Sequence, residues 1–224
     1  MLSFFIKIFG FYYREYKLNF SGIHDIFTNI LFFFISIFIF TFSIGPEKET
    51  LSVIGIGVLW TLLLLSSTLS LRKFYQDDFE NGSLALLYLN GFSLELISIL
   101  KTLSHFTFVQ IPFLISIPIA SILLNISFDK IYYLLISFLF GSLILSSLGS
   151  ISSSMNLLNK RNYLLGSVIV MIFSIPVIIF SVGIINQQEN LNSLISILFG
   201  ILLIVFAINP WASGTCLKLA LQNN

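Results

Sequence analysis

Six stretches of this chain contain no Asp, Glu, Lys or Arg and are each long enough to cross a lipid bilayer, and that spacing of charge limits the fold more than any motif does. The runs hold 21 residues between Asp25 and Glu47, 22 between Glu49 and Arg72, 27 between Lys101 and Asp129, 29 between Lys130 and Lys160, 27 between Arg161 and Glu189, and 28 between Glu189 and Lys218. A charged side chain at the bilayer centre costs roughly 2.5–3.5 kcal/mol on insertion scales, whereas an apolar one gains only a few tenths. About 20 helical residues cross about 30 Å of hydrocarbon, so each run accommodates one span and none accommodates two. Stretches such as LFFFISIFIF (31–40) and SVIVMIFSIPVIIF (167–180) are apolar on all sides instead of alternating, which fits helices and not the strands of a membrane barrel. The expected fold is all-α: a polytopic membrane protein, 1–224 as a single transmembrane domain, with spans near 26–45, 51–71, 103–126, 131–157, 163–186 and 192–212.

Composition supports this. Of 224 residues 57% are hydrophobic and 9% charged, against about 25% charged in a soluble domain, too little to cover a water-facing surface. A net charge of +1 argues against a nucleic-acid partner, which requires a basic face. The single cysteine, Cys216, excludes an internal disulfide framework and a cysteine-based metal cluster within the chain.

Lys and Arg in short connections stay on the side where the chain is made. With the N-terminus inside, nine basic residues (Lys7, Arg14, Lys17, Arg72, Lys73, Lys101, Lys160, Arg161 and Lys218) fall inside and two (Lys48 and Lys130) outside, so both termini are expected on the cytoplasmic or matrix side. The first 25 residues are not expected to be a signal peptide, because the apolar run before Lys7 is only a few residues and no small-residue cleavage pattern follows. Phe4, Phe5, Ile8, Phe9, Tyr12 and Tyr16 recur near helical spacing among Lys7, Arg14 and Lys17, the pattern of an amphipathic helix lying at the membrane face.

The one long polar segment runs from Arg72 to Lys101. Asp77, Asp78 and Glu80 together would cost on the order of 7–10 kcal/mol at the membrane centre, so the segment belongs in cytoplasmic water or at the interface. Asn81-Gly82-Ser83 is a turn signal, and Leu84, Leu87 and Tyr88 then follow at i, i+3 and i+4, which predicts a short helix with one apolar face, capped by Ser83. Asn90-Gly91 breaks it and Ser93 offers a second cap. Such a helix can lie on lipid, or it can present its apolar side and the acidic trio to a cytosolic partner.

An acidic residue, Gly-Ser-Leu, further leucines, a turn and a helix ending in Lys before a span resembles the inner-face segment of type-2 ABC exporter permeases, here Asp77, Asp78, Glu80, Gly82, Ser83, Leu84, Leu87 and Lys101. More narrowly, the chain resembles the CcmB family, the permease-like subunit of the haem-handling complex of cytochrome c maturation. The matching features are SIGPE at 43–47, Gly57 and Trp60, DD-x3-GSL at 77–84, Lys101 with His105, Ile175-Pro176 with IIF at 178–180, and Asn209-Pro210. The similarity runs from about residue 14 to the end. Ala85 stands where the family commonly has Glu, and Asn90-Gly91-Phe92 where it usually has a Pro-rich break. The resemblance implies that 72–101 couples to a cytosolic ABC ATPase subunit (CcmA-like), with those eight residues as the contact. It further implies a haem-handling membrane protein (CcmC-like), a small membrane subunit (CcmD-like), a haem chaperone (CcmE-like) and two copies of this chain per complex, in a bacterial inner membrane or a mitochondrial one. Haem is then the substrate of the complex, moved across the membrane or released on its chaperone, and ATP sits on the partner.

The chain has no Gly-x4-Gly-Lys-Ser/Thr loop, no Gly-x-Ser-x-Gly elbow and no His-Glu-x-x-His helix, so it is not expected to be an enzyme or to bind a cofactor or metal itself. With no charged residue inside the uncharged runs, an ion-coupled carrier is disfavoured. A generic exporter of lipid, polysaccharide or drug, and a passive scaffold, are the alternatives. His105 is the one candidate haem ligand, but a lone His one turn after Lys101 is expected to hydrogen-bond or pack between helices; His24 reads as an interfacial polar residue. Ser142, Ser146, Ser150 and Ser154, with Gly149 and Ser153, place small residues on one face of the fourth span, which suits a close helix contact within the chain, a dimer seam or a substrate-facing wall. Pro112, Pro118 and Pro176 can kink their helices.

Overall fold

The computed structural model describes residues 2–45, 48–71, 74–158, 164–186 and 190–223. Pro46 and Glu47 of the SIGPE motif, and Arg72, Lys73, Lys160, Arg161 and Glu189 of the charge pattern, lie outside them. The elements are α1 (Leu2–Ser21), α2 (Ile23–Ile44), α3 (Lys48–Thr68), α4 (Gln76–Glu80), α5 (Ser83–Leu89), α6 (Leu94–His105), a π-helical turn (Phe106–Gln110), α7 (Ile111–Leu123), α8 (Phe128–Leu158), α9 (Leu164–Asn186) and α10 (Leu191–Gln222). Among the described residues six helices are long and apolar enough to cross a membrane: Ile23–Ile44, Glu49–Thr68, Leu94–Leu123, Phe128–Leu158, Gly166–Asn186 and Leu191–Gln222. The protein is an all-helical, multi-pass membrane protein.

The third of these helices begins at Leu94, where Ser93 caps it as its residue type suggests, accepting a hydrogen bond from the Leu96 amide at 3.2 Å. Lys101 therefore lies inside a helix that continues into the span instead of ending one before it. From Lys101 to Leu123 the helix rises about 33 Å at about 1.5 Å per residue, enough to cross the hydrocarbon and leave Lys101 at its edge. Pro112 lacks an N–H and crowds the preceding turn, and just before it the backbone widens into the π turn, where the Ile111 amide reaches back to the Phe106 carbonyl. Thr107 donates its hydroxyl to the Leu103 and Ser104 carbonyls, both at 3.0 Å. The helix closes in a Schellman motif: Asn125 takes φ +52°, and Asn125 and Ile126 donate to the Ile122 and Ser121 carbonyls at 3.2 and 2.9 Å.

Three apolar clusters hold the bundle. One gathers Phe33 and Ile37 of α2, Trp60 of α3, Phe113 of α7 and Phe138 of α8. A second lies along α8, α9 and α10. The third joins Phe11 of α1, Phe79, Leu84, Phe92 and Ile97 with Leu217 and Ala220 of α10, so both chain ends and the 74–93 segment share one end of the bundle. The α8 serine stripe is an intramolecular seam: Ser142, Ser146, Ser150 and Ser154 are all buried, and α8 packs on α6, α9 and α10, as close approach through small residues requires.

Helix α1 turns its Ile8, Phe11, Tyr12 and Glu15 side inward along α6, with the Phe11 and Phe92 rings 5.7 Å apart and Tyr12 hydrogen-bonded to Thr107 at 2.6 Å. The aromatic set read from the sequence is thus divided: Ile8 and Tyr12 contact protein, whereas Phe9 and Tyr16 are exposed.

Trp60 is fully buried against Phe138 with ring centroids 5.7 Å apart, and it occupies a notch at Gly141, where a Cβ would stand 2.5 Å from Trp60 Cη2. A Cβ at Gly57 would meet nothing within 4 Å. Gly141→Ala is expected to lower the melting temperature of the purified protein in detergent, by overpacking that costs about 1–3 kcal/mol, and Gly57→Ala to leave it unchanged or raise it; equal behaviour of the two variants would refute the notch.

Candidate functional site

The segment between α3 and α6 folds into two short helices joined by glycine turns. Gly82 adopts φ +71° immediately before α5, and Ser83 is the first helical residue, making no capping hydrogen bond through its side chain. The expected Ser83 cap is therefore replaced by a backbone turn that only glycine adopts without strain. At the other end Gly91, φ +85°, closes a Schellman motif in which Gly91 and Phe92 donate to the Tyr88 and Leu87 carbonyls at 3.0 and 3.2 Å. Lys7 of α1 donates to the Asn90 carbonyl at 3.2 Å.

The acidic trio separates. Asp77 and Glu80 are exposed, with Glu80 accepting from Gln76 at 2.7 Å. Asp78 turns inward and meets Arg14, Glu15 and Lys101 in a closed ring of alternating charge. Arg14 Nη1 lies 2.7 Å from Glu15 Oε1, Arg14 Nη2 hydrogen-bonds Asp78 Oδ1, Lys101 Nζ lies 2.5 Å from Asp78 Oδ2, and the same Nζ lies 3.3 Å from Glu15 Oε2. Burial alone would raise the Asp78 carboxyl, but the Lys101 charge and the Arg14 hydrogen bond outweigh it and hold the group below the usual carboxylate range. Burial likewise works against the charged Arg14, yet Asp78 and Glu15 raise its guanidinium above the ordinary value. The ring bolts α1, α4 and α6 together.

Leu84 is fully buried and Leu87 packs against the same cluster. Asp78, Leu84 and Lys101 are thus turned into the protein, so they hold the segment in place and do not form its outer surface. The outer surface includes Asp77, Glu80, Leu86, 60% exposed, and Leu89, 79% exposed. It also includes Tyr88, which the i, i+4 spacing places on the apolar face but which is 49% exposed, because it lies in the last turn of so short a helix, past the core contact. The i, i+3 spacing of Leu86 and Leu89 was available in the sequence, but the competing Leu84/Leu87 stripe masked it. Arg14 and Glu15 were also missed as site residues. The signal was there: Glu15 is the only acid before Asp25 in an otherwise basic, aromatic segment, and a buried acid requires a partner.

Behind the ring, a polar network enters the spans. Tyr75 shares a hydrogen bond with Ser150 of α8 at 2.8 Å; Ser150 reaches Ser98 of α6 at 3.2 Å and Ser213 of α10 at 3.1 Å. Asn209 Oδ1 accepts from Ser98 and Ser213 at 3.3 and 2.9 Å, and its Nδ2 donates to Thr102 at 2.8 Å. Burial pushes the Tyr75 phenol up to about 12, so it remains a neutral hydrogen-bonding group. His105 has both ring nitrogens engaged, with Ser70 at 2.8 Å and Ser146 at 3.0 Å, and its ring lies 4.9 Å from that of Phe74. It is a packed, hydrogen-bonded residue, and binding iron would require breaking one of these bonds. Among the described residues no group of three or more His, Cys, Asp or Glu is placed to hold a metal.

Residues 6–220 match the family model described as CcmB protein. The chain is 30% identical to heme exporter protein B of Haemophilus influenzae over 215 residues, 94% of this chain and 96% of that protein. It is 31% identical to heme exporter protein B of Bradyrhizobium diazoefficiens, covering 84% and 87%, and 30% identical to that of Pseudomonas aeruginosa, covering 70% and 71%.

Removing one member of a buried ion pair typically costs about 3–5 kcal/mol. Lys101→Met, with Arg14 left to serve both acids, is expected to fall at the low end, about 3 kcal/mol, in thermal unfolding. The double change Lys101→Met with Asp78→Asn restores neutrality and is expected to cost less than the sum of the two single changes; strict additivity would refute the ring. A depressed Asp78 contributes stability that is complete above its unfolded value of about 3.9 and is lost as pH falls through the lower folded value. Protection of residues 2–21 from hydrogen exchange, taken relative to the intrinsic rates, should therefore begin to fall below about pH 4, and in Lys101→Met the loss should be complete at a higher pH.

Proposed function

The chain belongs to the CcmB family, and from that premise we propose that it is the permease subunit of a haem exporter serving cytochrome c maturation, driven by ATP hydrolysed on a separate chain. By the inward bias of basic residues, the end carrying α1, α4, α5 and both termini faces the cytoplasm or matrix, in the bacterial inner membrane or its mitochondrial counterpart. The exposed Phe9, Tyr13 and Tyr16 side of α1 lies at the headgroup level. A haem-handling membrane protein, a small membrane subunit and a haem chaperone complete the assembly, with two copies of this chain.

The observation that carries the coupling reading is the build of the 74–93 segment: a short helix with exposed Leu86 and Leu89 on its outer side and buried anchors on its inner side. Leu86, Leu89 and Glu80 form the contact with the ATPase. Gly82 and Ser83 set the angle of α5, Leu84 and Leu87 seat it, and Asp78 with Lys101 transmits its displacement to α6 and α1. Tyr75 passes the same displacement to α8 through Ser150. A helix anchored by ion pairs and packing moves as a rigid lever, which a flexible loop cannot do.

Co-purification tests this. Leu86→Glu with Leu89→Glu, both at exposed positions, is expected to leave the protein inserted while abolishing recovery of the ATPase and assembly of cytochrome c. Unchanged recovery would refute the contact, and transport of haem by the purified chain without any ATPase would refute the dependence on a partner.

A further inference from the structure

A cavity of about 600 Å³ opens between α1, the start of α2, α4 and α6, next to the ion ring. This volume falls within the range of ligand pockets. Two buried polar side chains line it. Asn29 of α2 is 7% exposed. Ser104 of α6 is 2% exposed and its hydroxyl is without a partner among the described residues. Buried polar groups are normally satisfied, and each exception calls for an explanation.

The charge of the lining selects the ligand. Arg14 and Lys101 border the cavity, but the ring with Glu15 and Asp78 neutralises both, so an anion finds no free counter-charge. Asp25 and Asp77 also line the cavity, and Asp77, exposed at α4 and outside the ring, adds negative charge among the described residues. A carboxylate, an amide and a hydroxyl can all accept hydrogen bonds, and a primary ammonium offers three donors and no acceptor. Leu18, Ile26 and Val109 supply an apolar wall, and Ile23 and Phe27 of α2 are exposed, so an acyl chain has an adjacent apolar surface to follow.

We propose that this cavity binds a primary ammonium group, held by Asp77, Asn29 and Ser104, and carried either by the headgroup of an ethanolamine lipid or by a free small amine.

Delipidated full-length protein in mild detergent can be titrated with phosphatidylethanolamine, with phosphatidylglycerol of the same acyl chains and with free ethanolamine, binding being read by native mass spectrometry and by thermal shift. The amine lipid is expected to bind at least about tenfold more tightly than the glycerol lipid, the difference expected from one hydrogen bond to a charged group. Asp77→Asn, at an exposed position, should weaken it by a similar factor and Asp77→Glu should retain it; Asn29→Leu should weaken it as well. Binding of free ethanolamine with the same dependence on Asp77 assigns the site to soluble amines, and binding of the lipid alone assigns it to the bilayer. Equal affinity for the two lipids, or amine binding undiminished in both Asp77→Asn and Asn29→Leu, would overturn the proposal.

Discussion

Four charged side chains at one end of the bundle, Arg14, Glu15, Asp78 and Lys101, give it its connection to the short helices between α3 and α6. Each acid uses its two oxygens on two different cations, and each cation bridges both acids. Isolated, any of the buried members would be costly in so apolar a setting; closed into a ring they are neutral as a group and directional. The ring draws one residue from a helix spanning the membrane, one from a short helix between spans and two from the N-terminal helix. Those three elements are consequently tied together although apolar packing alone would let them slide.

The interior of the bundle continues the same theme with uncharged groups. Helices surrounded by lipid gain little from burying apolar surface against each other, so close packing and hydrogen bonds decide which faces meet. Here the α8 serines, Asn209, Ser98, Thr102 and Tyr75 form that contact, and Trp60 lodged at Gly141 supplies a shape-specific one. The π turn ahead of Pro112 widens the helix between Lys101 and the membrane interior, a local departure from the regular helix beside the point where the ring pulls.

Charge spacing made the spans legible because the penalty for placing a charge in hydrocarbon is large, local and independent of the fold. Glycine turns were legible from a local cue: Asn-Gly marks a turn, and glycine there takes positive φ without a Cβ penalty, as Gly82 and Gly91 do. What was not legible was direction. Leu84 and Leu86 are equally apolar, yet one is buried and the other exposed, and Asp77 and Asp78 are chemically identical neighbours that face different surroundings. Ser83 reads as a cap by type, but the backbone places Gly82 in that role. Lys101 reads as the last residue of a helix that precedes the span, yet that helix runs on through it, with two carboxylates from elsewhere in the chain pairing its charge.

The amino-acid order by itself determined that this chain is a helical membrane protein with six helices long and apolar enough to cross a bilayer and where the polar segment falls, since each follows from transfer energies and local backbone preferences acting over a few residues. Only the tertiary structure decided which charges are paired, which leucines are outward, that His105 is held by two serines, and that Asn29 and Ser104 share a cavity with Asp77. Those depend on contacts between residues far apart in the chain, and a side chain's charge or polarity states that it needs a partner without stating which one the fold will bring.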